Sequence, residues 1–233
     1  MHERTRSILE AAVREFIKSG KPITSEYLYD IHDFGIKPAM IRWELSDLSE
    51  HGFFYQTHPS GGRFPTDKAY QFFVDEMLED GSDRGDTSSL FGSVPDDMKH
   101  FVHDIADYLK LLSVGYDIQE GMIYGSGLRA LLGHLGADSL ETITDAVGDF
   151  ESLEERLSKR REWWEEETLW PKVFVGQSPI TRSTHLSVVA GKMECDGREV
   201  LMLTIGPKRM DYQKTVHLFK SLGKKKNKRT NAT

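Results

Sequence analysis

Residues 38–70 read P-A-M-I-R-W-E-L-S-D-L-S-E-H-G-F-F-Y-Q-T-H-P-S-G-G-R-F-P-T-D-K-A-Y. Proline is tolerated in a first helical turn, so a helix begins around Lys37-Pro38. Ile41, Leu45 and Leu48 fall at i, i+4 and i+7 and make its buried stripe. Arg42, Trp43, Ser46 and Asp47 lie off that stripe and face outward. Residues 53–57 follow as a short extended run. The tip at residues 58–62 holds Pro59 for a turn and two glycines, Gly61 and Gly62, able to take positive φ. Phe64 starts a return strand and Thr66 caps the next helix. A helix followed at once by a glycine-tipped hairpin is the layout of a winged helix, which places one helix in a DNA major groove and a basic loop on the adjoining backbone.

Outward from this stretch the pattern stays helical on the N-terminal side. Residues 3–19 carry Ile8, Ala11, Ala12, Phe16 and Ile17 at three- and four-residue spacing, and Gly20 closes that helix. Thr24 or Ser25 caps a second helix that ends near Gly35. After the wing, Tyr70, Phe72, Phe73 and Met77 are placed to pack back on the domain. Residues 79–97 are rich in Gly, Ser and Asp and read as a flexible acidic linker.

The second half opens with a helix over residues 96–113, whose apolar seam is Met98, Phe101, Val102, Ile105, Leu109 and Leu112. A further helix is expected over 127–135, and a long charged one over 149–170, with Phe150, Leu153, Leu157 and Trp164 near heptad spacing. Three strands follow, at 172–176, 186–193 and 199–205, the last two joined by Cys195-Asp196-Gly197. A final helix at 212–222 leads to a lysine-rich tail from Gly223, read as disordered.

Composition limits the function classes. The chain has 233 residues, 38% of them hydrophobic, enough for one large or two small domains. A single cysteine, Cys195, excludes a disulfide framework and a thiolate metal cluster, and points to the cytoplasm. No apolar run has the length of a membrane span. The net charge of -7 speaks against nonspecific coating of nucleic acid, so a DNA reader must depend on where its bases sit. There is no G-x-S-x-G elbow, phosphate-binding glycine loop or H-E-x-x-H helix. His100 and His103 share a helical face but lack a spaced third metal ligand. Neither an enzyme nor a cofactor or metal site is expected.

These motifs resemble the heat-inducible transcription repressor family HrcA. P-A-M-I-R-W-E-L-S-D-L through G-G-R-F-P-T-D-K-A-Y-Q-F-F-V-D is similar to its A-T-I-R-N-E-M-x-D-L and S-A-G-R-I-P-T-D-K-G-Y-R-x-Y-V-D patterns. V-F-V-G from Val173, I-G-P-K-R-M-D-Y from Ile205 and, more weakly, Y-G-S-G-L from Tyr124 match further on. The resemblance implies a repressor of chaperone genes that binds an inverted-repeat operator as a homodimer. It also implies a GAF-like second domain with an inserted dimerisation domain, and a chaperonin as a possible modulator. Typical members are about a hundred residues longer. Here the insertion and the first GAF strands look to be missing, and Trp43 replaces the family's Asn.

The resulting expectation is an α+β chain: a winged helix-turn-helix domain at 1–78, a linker at 79–97, a reduced GAF-like domain at 98–222 and a basic tail at 223–233. Lys37, Pro38 and Ala39 at the start of the reading helix, with Arg42, Trp43 and Ser46 on its outer face, are the nominated DNA contacts. Arg42 suits a phosphate or the O6 and N7 of guanine, against a plain solvated arginine. Trp43 suits a thymine methyl, or packs on the wing or first helix. His58, Ser60, Gly61, Gly62 and Arg63 form the wing tip, where Arg63 is offered to a phosphate or the minor groove, against a simple solubility charge, and His58 and Ser60 to phosphate hydrogen bonds, against a turn-stabilising role. Thr66 and Lys68 open a helix whose free N–H groups suit a phosphate. Phe101, Ile105, Leu109 and Leu112, with Phe150, Leu153 and Leu157, are the candidate dimer interface, against a reading as ordinary core. A three-stranded remnant should be marginal, so the second domain is expected to melt first and release operator on heating. The competing class is a protein-interaction module built on the same scaffold.

Overall fold

The computed structural model describes residues 1–58, 61–79, 97–135, 140–160, 164, 171–195 and 198–229, with backbone alone from 223 onward. The chain divides into two compact units, Met1–Asp80 and Gly81–Thr233. Both helices and antiparallel sheets are present, so the class is α+β.

The first unit contains α1 (Glu3–Ser19), α2 (Ser25–Ile31), α3 (Pro38–Glu50), β1 (Phe54–Gln56), β2 (Arg63–Pro65) and α4 (Asp67–Glu79). Local sequence explains each boundary. Gly20 stops α1 in the left-handed region at φ 64° and returns its N–H to the Phe16 carbonyl. Thr24 caps α2 by accepting from the Tyr27 N–H at 3.1 Å. Ile8, Leu9, Ala12, Leu28, Ile41, Leu45, Leu48 and Val74 are buried in a shared core. One carboxylate also lies inside. Glu44, on α3, accepts from Arg4 Nε and Nη2 at 3.0 and 2.9 Å and from the Thr5 hydroxyl at 2.7 Å, tying α3 to α1.

The hairpin has a further backbone pairing, an isolated bridge, that the sequence did not announce. Ile23, between α1 and α2, exchanges backbone hydrogen bonds with Arg63 at 2.9 and 2.8 Å. This pairing also settles the role of Gly62. Its φ is not positive; the glycine is required because a Cβ there would lie 2.6 Å from Pro22.

The second unit departs further from expectation. The helix read over 96–113 is α5 (Met98–Leu109), ended by Lys110 at φ 58°. Two unannounced strands follow, β3 (Leu112–Asp117) and β4 (Ile123–Ser126). Next come α6 (Leu128–Leu135), α7 (Leu140–Glu151), α8 (Leu153–Lys159), β5 (Lys172–Val175), β6 (Leu186–Cys195) and β7 (Arg198–Pro207). The last helix, α9 (Tyr212–Arg229), carries into the tail read as disordered from Gly223. The three-stranded remnant is therefore a five-stranded antiparallel sheet in the order β4-β3-β7-β6-β5. The long helix over 149–170 is interrupted: α7 ends at Glu151 and α8 starts at Leu153.

Helices lie on both faces of this sheet. Leu112, Val114, Val188, Leu203 and Ile205 meet Leu131, Leu135, Leu153, Leu157 and Trp164 on one side. On the other, Gly191 lies under Phe219 of α9, and Gly115 lies against Met98 and Val102 of α5. Those two glycines mark close helix-on-sheet approach.

Candidate nucleic-acid interface

The expected DNA-reading surface separates into residues that face solvent and residues that hold the unit together. Lys37 is the N-cap of α3, and Lys37, Ala39, Arg42 and Trp43 are exposed. Pro38 and Ser46 are half-buried beside them. Trp43 is 61% exposed, so most of its ring surface is open to solvent. Met40, 44% exposed and three residues before Trp43, extends the same apolar surface. Tyr55 on β1 is exposed and stacks on Phe64 with ring centroids 5.3 Å apart.

At the wing, His58 is exposed, Gly61 and Gly62 are half-buried, and Ser60 lies outside the described residues. Gln56 Nε2 donates to the Gly61 carbonyl at 2.7 Å and steadies the loop. Arg63 corrects the reading of a free tip cation. It is buried, only 8% exposed, because the Ile23 pairing encloses the base of the hairpin. Its Nε donates to Ser49 Oγ at 3.2 Å. Burial pulls its guanidinium below the ordinary arginine value, and the Arg42 charge adds to that. Lys21, exposed and next to the Pro22 that approaches Gly62, is a cation placed beside the wing. Only the non-local strand pairing reveals it.

Thr66, half-buried, and Lys68, exposed, are both engaged within the unit. The Thr66 hydroxyl donates to the Gly52 carbonyl at 2.7 Å, and Lys68 Nζ donates to the His51 carbonyl at 2.8 Å while lying 4.5 Å from the Phe53 ring. Both tie the end of α3 to the start of α4. Arg42 has a partner too: its Nη2 donates to Glu26 Oε1 on α2 at 2.5 Å. The Glu26 carboxyl is held below its ordinary value, first by the backbone N–H at its own helix start, then by Ser25 and Arg42.

The dimer seam is corrected by burial. Phe101, Ile105, Leu109, Leu112, Leu153 and Leu157 are all buried within the second unit, and Phe150 is partly buried against the core that holds Leu112, Leu153 and Leu157. Side chains already covered in one chain are not available to another. The K-R-M-D-Y corner is structural: Asp211 accepts from the Lys214 N–H at 2.9 Å, and the buried Tyr212 hydroxyl is 2.7 Å from Ser187 Oγ. His100 pairs with Asp97 and His103 with Ser126, on separate partners. Among the described residues no cluster of potential metal ligands occurs, and no helix is long and apolar enough to cross a membrane.

The first unit is thus three helices followed by a two-stranded hairpin and a fourth helix, and the second a five-stranded antiparallel sheet with helices on both faces. No family model matches the chain. It is similar to heat-inducible transcription repressors HrcA: 40% identical over 90 residues to that of Desulfitobacterium hafniense, covering 39% of this chain and 26% of the relative. The repressor of Leptospira biflexa is 44% identical over 75 residues, 32% of this chain and 22% of the relative. That of Acetivibrio thermocellus is 32% identical over 114 residues, 49% of this chain and 32% of the relative. The matched stretches therefore span at most about a third of these repressors' own length. A crystal structure described only as a hypothetical protein shares the fold, with TM-score 0.77 and 16% identity over 97% of both chains.

Proposed function

We propose that this chain is a sequence-specific DNA-binding repressor of heat-shock genes that binds an inverted-repeat operator as a dimer and lets go on heating. The observation that carries the reading is the outer face of α3, where Lys37, Arg42 and Trp43 stand exposed on a winged-helix frame. The likeness to HrcA repressors supports the choice of regulator class. An inverted repeat calls for two readers related by a twofold axis. With the expected seam buried, the second unit, read as a reduced GAF-like domain, would supply another surface for that pairing.

Gel shift on duplexes enriched from a random library tests the proposal. Binding should weaken steeply with salt, and Arg42→Ala should cost about 1–3 kcal/mol on the enriched site. Absence of any salt-dependent shift would favour the protein-interaction module instead.

A further inference from the structure

We propose that Glu26 is a specificity-determining residue that positions Arg42 on a base edge and keeps it off the phosphate backbone. The inference rests on the DNA-binding reading above.

Glu26 stands in the first turn of α2, which packs against α3. Both of its carboxylate oxygens are engaged: Ser25 Oγ donates to Oε2 at 3.0 Å and Arg42 Nη2 to Oε1 at 2.5 Å. Arg42 has a like-charged neighbour as well, since its charge acts on the buried Arg63. The guanidinium is therefore held by a carboxylate and disfavoured on the side of another cation. This pair does little for the fold. The Arg42 and Glu26 side chains are 65% and 58% exposed, and ion pairs so open to water add little stability.

The pair changes what Arg42 can read. A guanidinium has five N–H donors in a rigid plane, so one spent on Glu26 leaves enough for the O6 and N7 of guanine. Holding the long side chain in advance also lowers the rotamer entropy lost when it docks. A phosphate approaching the same guanidinium meets the Glu26 charge, and like charges brought together cost free energy. A base edge carries no net charge and escapes that penalty. Glu26 thus favours base contact over backbone contact without touching DNA itself.

The test uses the full chain, Glu26→Gln, Arg42→Ala and the double variant. Duplexes enriched by the parent chain from a random library are titrated beside scrambled duplexes across a salt series. Glu26→Gln should tighten binding to scrambled DNA, steepen the log K against log salt slope by about 0.9, and cut the enriched-to-scrambled ratio about tenfold. In the Arg42→Ala background, Glu26→Gln should leave that ratio unchanged. A ratio in Glu26→Gln equal to the parent's overturns the positioning role while leaving DNA binding intact. A change that persists without Arg42 also overturns it, because Glu26 would then act directly, for example as acceptor for a cytosine amino group. Failure of the parent to enrich any sequence removes the DNA-binding reading and the inference together.

Discussion

The two units bury their cores by different means. The second is organised by a sheet whose central ladder pairs ten residues of β6 with ten of β7, with helices packed on both faces. The first has strands of three residues and depends on polar ties between distant elements: Arg4 and Thr5 with Glu44, Arg63 with Ser49, Lys68 with the His51 carbonyl. The outer face of α3 is left uncovered. Surface left open to solvent is surface lost to the core, so the first unit is the one with less apolar burial to spare. The expectation that the second unit melts first rested on a three-stranded remnant, and a covered five-stranded sheet removes that premise.

The sharpest way to break this comparison is to make the same cavity in each unit. Leu45→Ala and Leu203→Ala should each cost about 2–5 kcal/mol, since both side chains are fully buried. By calorimetry, Leu45→Ala should unfold the first unit or bring its transition far down. Leu203→Ala should lower the other transition and leave the second unit folded at room temperature. If the parent's lower transition responds to Leu203→Ala instead, the ranking of the two units is reversed.

A smaller effect isolates the polar ties. Glu44→Ala removes the acceptor for the buried Thr5 hydroxyl and should cost about 1–3 kcal/mol in the first unit alone. Arg63→Ala should likewise act through the fold, lowering the first transition. If it flattens the salt dependence of DNA binding with no change in melting, its buried position is not what matters.

The smallest effect is acid dependence. Burial alone would raise the Glu15 carboxyl, but the hydrogen bonds and charges of Lys18 and His32 outweigh it and the net shift is downward. The folded value then lies below the unfolded one. Its contribution to stability is complete above the unfolded value, and is lost as pH falls below about 4.5 through the folded value. Melting of the first unit followed against pH should show this loss, and Glu15→Gln should flatten it.

Much of the first unit was legible because its signals are local. Gly20 after α1, Thr24 before α2 and the Ile41, Leu45, Leu48 stripe each declare themselves within one or two turns. The strands of the second unit did not. β3 is buried at every position, so it lacks the alternation that marks a half-exposed strand, and its apolar residues extend the seam of α5. A lysine in the left-handed region ends that helix where a glycine would have signalled the stop.

The sequence by itself determined the helix periods, the caps, the wing and the outward placement of Arg42 and Trp43, because these follow from spacings of a few residues. Tertiary structure alone decided which polar and apolar groups were free. Ile23 lies forty positions before Arg63, yet its backbone pairing turns a tip cation into a buried one. Glu26 reaches Arg42 only because α2 packs on α3. The seam Phe101, Ile105, Leu109 became core because a sheet formed beneath it. Such pairings join residues far apart in the chain, and no local pattern records which partner will arrive.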